Sequence, residues 1–451
     1  MPLLHKEWHF FYFCFCMRQS ISILLFLLAG IPLFAMRISL SSDKAYDRLY
    51  LYAYHASDYL LIDSVLVHDG SALLQSDTLL PEGIYFLTDT LGEARLEFLL
   101  AEDQKFKLKF ASLEAVDFSI LGAAETDAFQ RYRYASLTAK NQQERDAITR
   151  RMLTEAEPGS FFELLLSALL PPPAVPASLG AQTMAAYDFK VAHFWDNYDL
   201  ADARILRTPF FAPRFDYYLK RLILPREDKL REALLPLLAR AEQSDAVLHF
   251  MVSHVWKMLA SSGIMGIDNL GYELVTRYYL TGRMGTLSLQ QQNTLEEYVL
   301  HTKDCRVGHK AKDIQLSSWQ EGEGELSLYH MDAQCIVLLF WDPDCSHCQE
   351  AITFLRDVIA MKYKSSEVLI FAVNIQGDLA LWRNVIMTED LTDWYHGYQP
   401  YGEADFMLSY GIQSTPCIYL LDEEKTIVAK QVEIKYLDQM IANLLSKRTI
   451  Y

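Results

Sequence analysis

The feature that most constrains this fold is an apolar run of strand length followed by two cysteines three positions apart. The run from Cys335 to Trp341 contains no charge, and such runs are typical of strands buried on both faces of a central sheet. Residues 342–344 then favour a turn. After Cys345 and Cys348, apolar residues recur at helical spacing through 351–359. The sequence therefore predicts that Cys345 lies in the first turn of a helix leaving a buried strand.

This predicted position has consequences for the acidity of Cys345. Free backbone N–H groups and the helix dipole stabilise a negative charge at a helix start, which lowers the pKa of a thiol there. His347 adds to this effect when it is protonated, whereas Asp342 and Asp344 oppose it. Cys348 lies one turn further along the helix, from where its sulfur can attack a mixed disulfide on Cys345.

A second signal lies downstream, in the segment from Gln413 to Leu421. Here Thr415 and Pro416 stand at the head of an apolar strand. A proline in this position is typical of a cis X-Pro bond that bends the chain before a strand. The sequence therefore predicts a cis bond before Pro416.

The tryptophan and cysteine spacing, the Thr-Pro pair before a strand and the following hairpin together resemble the thioredoxin superfamily, and within it the TlpA/ResA-like branch. The resemblance implies that Cys345 is the nucleophile, that Cys348 is the resolving thiol, and that the two form a redox-active disulfide. It also implies that Thr415 and Pro416, with Trp341, dock the substrate. The resemblance implies no cofactor and no metal.

The pattern along the chain changes three times. Alternating runs separated by turns predict a small β region, wide apolar helical faces predict an all-α region, and the thioredoxin resemblance covers the remainder. The predicted fold class is an α/β thioredoxin-like C-terminal domain preceded by an all-α domain and a small all-β, sandwich-like domain. The predicted domains are a signal peptide at 1–36, the β domain at 43–122, the helical domain at 123–302 and the thioredoxin-like domain at 303–451.

The first residues predict export. Arg18 precedes a short apolar run from Ile21 to Ala35, which is typical of a secretory signal peptide, with Met17 as the expected start. Cys14 and Cys16 lack the small residues that precede a lipidated cysteine. The predicted location is the periplasm or cell envelope, and a retained signal anchor is the alternative.

Removal of the leader leaves five cysteines, of which only Cys345 and Cys348 have redox spacing. A disulfide-stapled scaffold would use more cysteines, so the pair is interpreted as catalytic. A zinc site that recruits two further cysteine or histidine ligands is an alternative. Cys417 is interpreted as a small buried residue or a third redox thiol, and Cys305 and Cys335 as free thiols or a structural pair.

The segment from His193 to Pro209 resembles a signature of an uncharacterised helical domain that precedes thioredoxin domains in Gram-negative bacteria. A metal site is one interpretation of its acidic residues; ion pairing is the other, and is favoured because no glycine-containing ligand loop is present. The candidate ligands are His193, Asp196, Asp199 and Asp202, and the candidate ion-pair partners are Arg204 and Arg207.

Two function classes remain open. The formal net charge of −17 disfavours nucleic-acid binding. The first class is a thiol-disulfide oxidoreductase acting on exported client proteins that contain cysteines, with a membrane electron donor if it works as a reductant. The second is a redox-sensitive binding or assembly scaffold. The direction of electron flow is left open.

Overall fold

The computed structural model describes residues 34–90, 92, 94–320, 322, 324–375, 378–399 and 405–448. The chain divides into two compact units, Met1–Tyr218 and Leu219–Tyr451. Of the predicted leader at 1–36, residues 1–33 lie outside the described residues. The predicted domain boundaries at 122/123 and 302/303 stay predictions. No helix within the described ranges is long and apolar enough to cross a membrane.

The first unit begins with two four-stranded sheets that share one core. Alternation drives this arrangement: in the segment Lys105–Phe110 the aromatic and leucine side chains are buried, while the lysines are exposed. The core contains Ile38 and Leu108 from one sheet and Leu51 and Leu87 from the other, so the sheets pack face to face. The strands are β1 Met36–Ser42, β2 Arg48–His55, β3 Asp58–Leu66, β4 Ser71–Ser76, β5 Gly83–Thr88, β6 Leu96–Leu100, β7 Lys105–Phe110 and β8 Ser119–Leu121.

Strand β1 is central in its sheet, whose order is β4-β1-β7-β8; the other sheet has the order β3-β2-β5-β6. β1 pairs antiparallel with β4 and parallel with β7. Met36, its first residue, is 1% exposed. The sequence pattern predicted a leader up to Met36 and a β domain from Asp43, and strand β1 was therefore not predicted.

Helices cover the outer face of strands β5 and β6. Ile84 and Leu99 pack there against Phe129, Phe162 and Leu165, so β5 is buried along its whole length. The α-helices of this unit are α1 Ala124–Thr138, α2 Gln142–Glu155, α3 Phe161–Leu169, α4 Met184–His193 and α5 Phe211–Tyr217, with 3₁₀ turns at Ala177–Leu179 and Ala203–Arg207.

The second unit begins with further helices. Ser288 and Gln291 form a capping box at the start of the last of them, which satisfies N–H groups that the helix leaves free. These helices are α6 Glu227–Ala241, α7 Asp245–Ala260, α8 Asp268–Leu274 and α9 Leu289–Thr302, with π-helical turns at Tyr218–Leu222 and Val275–Tyr279.

A seven-stranded sheet follows in the same unit, with the order β10-β9-β13-β12-β11-β14-β15. The apolar strand β11 lies between β12, to which it is parallel, and β14, to which it is antiparallel. The predicted sequence of strand, helix, strand and closing hairpin is present. The strands are β9 Gln315–Ser318, β10 Glu325–Ser327, β11 Cys335–Trp341, β12 Val368–Asn374, β13 Tyr395–Tyr398, β14 Cys417–Asp422 and β15 Ile427–Lys430.

Both faces of β11 are buried, as its unbroken apolar sequence predicts. Val337 and Leu339 belong to one core, which also contains Cys348, whereas Ile336 and Leu338 belong to the core on the opposite face. The remaining helices are α10 Ser346–Phe354, α11 Leu379–Thr388, α12 Asp405–Ser409 and α13 Ile434–Arg448, with a 3₁₀ turn at Leu328–His330 and a π-helical turn at Leu355–Ala360.

Candidate functional site

Cys345 is the N-cap residue of helix α10, directly after the turn that follows β11. The turn is held by the Asp344 N–H, which donates to Asp342 Oδ1 over 2.9 Å, and by the Cys345 N–H, which donates to the Asp342 carbonyl over 3.2 Å. An N-cap position leaves the first helical N–H groups free to face a negative charge. The predicted placement of Cys345 at a helix start is therefore present.

The two thiols of the motif are free and contact each other. Burial raises the pKa of Cys345, but hydrogen bonds from the Cys348 thiol and from the Cys348 backbone N–H outweigh it, so the pKa is lowered overall. Thr415 and the backbone N–H of His347 contribute in the same direction. His347 thus acts on Cys345 through its backbone, whereas the sequence analysis expected its imidazole to act.

Cys348 is fully buried in the apolar core beneath α10. Burial raises the pKa of its thiol, and the neighbouring Cys345 sulfur adds to the increase. Cys348 therefore stays protonated at neutral pH while Cys345 is the more acidic thiol. The pair therefore combines a partly exposed, more acidic thiol with a buried, less acidic one.

The pairing of β11 with β14 brings the loop that contains Thr415 and Pro416 next to Cys345. Phe340 pairs with Cys417, so the end of β11 lies beside the start of β14, and the residues just outside both strands meet. The bond between Thr415 and Pro416 is cis, as the sequence predicts. The Thr415 carbonyl oxygen lies 3.7 Å from Cys345 Sγ and accepts a hydrogen bond from it.

An open cavity of about 590 Å³ borders this arrangement. Its lining includes His347 from α10 and Thr415 and Pro416 from the loop before β14. Gln431, just after β15, and Ile434, the first residue of α13, form part of the remaining wall. Sequence reasoning missed these two residues, because the only available signal was their position after the closing hairpin.

Trp341 lies in the core instead of in the cavity wall. It is 1% exposed and packs in the same cluster as Cys348. Its predicted role in docking would require the side chain to leave the core, and remains a prediction.

Three further cysteines in the described residues, Cys305, Cys335 and Cys417, are buried free thiols. Burial raises the pKa of Cys417 to about 12, which makes a thiolate at this position unfavourable. Cys335 is fully buried at the start of β11, as expected for an inert thiol. Cys305 is also buried, and its Sγ lies 3.5 Å from Lys430 Nζ.

The acidic motif of the first unit forms ion pairs. Asp202 contacts Arg204 over 2.6 Å, and the same guanidinium contacts Glu82 over 2.6 Å. His193 Nδ1 lies 2.7 Å from Asp196 Oδ2. Arg207, an expected partner of the acids, instead donates to the Tyr85 hydroxyl over 3.4 Å. Within the described ranges, no group of three or more His, Cys, Asp or Glu side chains could hold a metal ion.

Part of the helical region is similar to a known domain family. The domain family DUF5106, a domain of unknown function, matches residues 135–295, in agreement with the resemblance predicted for the helical region. No curated protein sequence matches the chain significantly.

Several solved structures are similar to this chain. A thioredoxin-like protein from Bacteroides caccae is 19% identical, with a TM-score of 0.44, and the alignment covers 61% of this chain and 98% of that one. The thioredoxin domain of a thiol-disulfide oxidoreductase from Bacteroides vulgatus is 25% identical, with a TM-score of 0.27 and coverage of 31% and 96%. A thiol:disulfide interchange protein from a Bacteroides species is 24% identical, with a TM-score of 0.27 and coverage of 31% and 90%. Thioredoxin-like proteins are thus among the structures that this chain resembles, as the sequence predicts.

Proposed function

We propose that this protein is an exported thiol-disulfide oxidoreductase that exchanges disulfides with cysteine-containing proteins outside the cytoplasm. The observation that carries the proposal is the pairing of two unlike thiols. Cys345 is partly exposed at a helix start and has a lowered pKa, whereas the adjacent Cys348 is buried and has a raised pKa. A scaffold has no need of a resolving thiol in contact with an acidic one.

The proposed reaction proceeds in two exchanges. The Cys345 thiolate attacks one sulfur of a client disulfide; a bond forms between Cys345 and the client, and the other client sulfur leaves as a thiolate. Cys348 then loses its proton and attacks Cys345 Sγ. This forms the Cys345–Cys348 disulfide and releases the second client thiolate. The client gains two electrons and the protein loses two, and an oxidised protein runs the same steps in reverse.

The loop before β14 is suited to hold the client during the first exchange. The Thr415 carbonyl, 3.7 Å from Cys345 Sγ, faces the reacting sulfur, and Thr415 and Pro416 line the cavity. A client strand that pairs with this loop would place its own cysteine next to Cys345. Holding the two sulfurs together in this way raises their effective concentration.

Export is the part of the proposal that depends on the leader. The apolar run from Ile21 to Ala35, which follows Arg18, favours secretion. Disulfides form and persist in oxidising compartments outside the cytoplasm, so client disulfides would be present there for the Cys345–Cys348 pair to exchange with. Net reduction of clients would also need a donor of two electrons, which we assign to a membrane dithiol.

The first prediction tests this function by trapping. Cys348→Ser removes the resolving thiol, so the mixed disulfide between Cys345 and its client should persist. Clients should then co-purify on non-reducing gels and be released by dithiothreitol. Mass spectrometry of the released proteins measures the outcome and identifies the substrates.

Cys345→Ser is the matched control, because the buried, protonated Cys348 is a poor nucleophile and should capture little. The oxidoreductase proposal fails if Cys348→Ser captures no exported protein and the wild type neither reduces nor oxidises a test disulfide. The redox-sensitive scaffold would then be the better description.

A further inference from the structure

A second cavity of about 660 Å³ adjoins the first within the Leu219–Tyr451 unit. One of its walls comes from the segment Ser262–Asp268 and from helix α9, and the other from the thioredoxin-like part. The two cavities share Gln413 and Gln431 in their linings. The second cavity is therefore continuous with the surface that borders Cys345.

Polar groups without partners line this second cavity. The side chains of Glu297, Gln413 and Gln431 have no hydrogen-bond partner among the residues that the structure describes. In the same part of the chain, His301 Nδ1 is buried and likewise unbonded. These groups offer both donors and acceptors to a ligand that enters the cavity.

Charge in the cavity is nearly balanced. Lys430 Nζ lies 2.5 Å from Asp268 Oδ2, and both side chains are mostly buried. The contact lacks the alignment of a hydrogen bond and acts through charge. The other charged side chain in the lining is Glu297, and its carboxylate has no ion-pair partner among the described residues. A neutral or basic group fits this lining better than an acidic one.

We propose that the second cavity binds the extended client segment next to the cysteine that reacts with Cys345, and that it selects neutral or basic side chains there. The inference rests on the proposed function and adds a specificity site formed by the helical region. Three observations favour an extended polypeptide as the occupant: the continuity of the two cavities, the amide side chains at their junction, and the exposed Gln413–Ser414 segment that leads to Thr415.

The reach of an extended chain fits this arrangement. Gln413 and Thr415 are two residues apart, and an extended chain spans roughly 3.3–3.6 Å per residue. A client segment that follows the loop from Cys345 would therefore enter the second cavity about two to four residues from its reacting cysteine. Side chains at those positions would meet Glu297 and His301.

Single-exchange kinetics test the proposal with the full chain carrying Cys348→Ser. The probes are N-acetylcysteine amide and two peptides of roughly six residues, twice the required reach of about three residues. One peptide extends from the amino side of its cysteine and the other from the carboxyl side, and both carry lysine and asparagine. Each cysteine is joined to 5-thio-2-nitrobenzoate in a mixed disulfide. Cys345 attacks the cysteine sulfur, and the released thiolate is followed by its absorbance.

We expect one of the two peptides to react about tenfold faster than the single amino acid, as one or two net hydrogen bonds would give. Thr294→Trp places an indole in the cavity lining, and the ratio of peptide to amino-acid rate constants should fall to about one. Asn293→Trp is the matched control: it lies on the same helix, is exposed and does not line the cavity, so the ratio should not change.

A charge reversal supplies a second, independent variant. Glu297→Lys should remove the preference for the lysine peptide over a glutamate version of it, whereas Glu296→Lys, an exposed neighbour outside the cavity, should keep that preference. Equal rates for the long and short probes with wild-type cavity residues, or an unchanged ratio in Thr294→Trp, would overturn the cavity proposal alone. Failure of Cys345 to exchange with any probe would overturn the proposed function, and the cavity proposal with it.

Discussion

The acidity of Cys345 depends more on a neighbouring thiol than on the residues that flank it in the sequence. Hydrogen bonds from Cys348 lead the effects that lower its pKa, and the N-cap position makes the backbone N–H of His347 available as well. A thiolate at this site is stabilised by the same residue that, in the proposed reaction, resolves the mixed disulfide. The two steps of the proposed reaction are therefore linked through a single side chain.

The second prediction follows from that link. Cys348→Ala removes the thiol donor, so the pKa of Cys345 should rise and its thiolate fraction at neutral pH should fall. Alkylation of Cys345 by iodoacetamide should become slower at pH 7 and approach the wild-type rate at alkaline pH. Mass spectrometry of the Cys345 peptide against pH measures this.

His347→Gln is the control for this experiment, because it retains the backbone N–H and removes only the imidazole. It should change the Cys345 titration less than Cys348→Ala does. A larger effect of His347→Gln would return the imidazole to the role that the sequence analysis gave it.

Residue-level prediction succeeded where chemistry is local. The placement of Cys345 at a helix start and the cis bond at Pro416 both follow from short motifs. Burial is not local: a short motif does not report that the Trp341 side chain is buried, and its docking role stays a prediction. The contributions of Gln431 and Glu297 to the cavities depend on tertiary packing that no motif encodes.

At the scale of elements, strand β13 carries a buried histidine. His396 is fully buried beside Trp394, and its Nε2 donates to the Leu391 carbonyl over 2.8 Å. Burial lowers the pKa of His396 to about 4. An unfolded histidine has a pKa of about 6.5. Between these values the unfolded chain binds a proton that the folded chain excludes, so stability is full above pH 6.5 and falls as the pH drops towards 4.

The third prediction uses this difference. The free energy of unfolding should fall with a slope of at most ~1.4 kcal/mol per pH unit from this group alone. In His396→Leu that contribution is absent. The gap, defined as the free energy of unfolding of the wild type minus that of the variant, should therefore decrease as the solution is acidified. Urea unfolding followed by tryptophan fluorescence at several pH values measures the gap. The exposed His330→Leu should leave the slope unchanged, and a gap independent of pH would contradict the assignment.

Helix α9 and the loop after α12 meet at a glycine. Gly411 has a φ of +56°, and a Cβ there would lie 2.4 Å from the His301 carbonyl oxygen. A side chain at this position would both strain the backbone and push α9 away from the loop that leads to Pro416. The close packing of the helical region on the thioredoxin-like part thus depends on the absence of a side chain.

The fourth prediction compares two glycines. Gly411→Ala should lower the free energy of unfolding by about 2–4 kcal/mol, since strain and a backbone clash act together. Gly308→Ala should lower it by only about 1 kcal/mol, because Gly308 has a φ of +81° but a Cβ there meets no atom within 4 Å. Denaturant unfolding of both variants measures the difference. Equal losses would show that the contact with His301 adds nothing.

At the scale of the whole molecule, strand β1 shows how much of the β region depends on the packing of a single strand. Met36, Ile38 and Leu40 are 1%, 0% and 3% exposed, and β1 pairs with strands on both sides. Burial of each such side chain contributes about 1.5–3 kcal/mol. Their sum is comparable to the total stability of roughly 5–15 kcal/mol of a typical domain.

The fifth prediction is that a chain beginning at Met36 keeps a folded β region, whereas one beginning at Asp43 does not. Limited proteolysis and circular dichroism should show rapid cleavage between 43 and 122, and loss of β signal, only in the shorter chain. Equal resistance of the two chains would mean that β4 and β7 can close over the missing strand.

How much of the fold could be predicted varies along the chain, because burial leaves a clear sequence pattern in some elements and not in others. The thioredoxin-like layout was predictable because β11 is buried and uniformly apolar, because β14 is buried and apolar as far as Leu421, and because a hairpin closes the sheet. β1 was missed because its short alternation of apolar and polar residues directly follows the apolar run from Ile21 to Ala35, which predicted a leader. The grouping of helices α6 to α9 with the seven-stranded sheet depends on side-chain fit, which sequence periodicity does not report.

The pairing of Phe340 with Cys417 has a consequence for how this chain tolerates change. The hydrogen-bonded pairing of β11 with β14 fixes the distance between Cys345 and Thr415, and this distance does not depend on the length of the chain that connects the two strands. Lengthening a flexible surface turn between the two strands adds only a slowly growing closure entropy, about 0.6 kcal/mol for each doubling. Insertions at such turns could therefore accumulate without displacing either half of the site, whereas a one-residue slip in the ladder would move Thr415 away from the reacting sulfur.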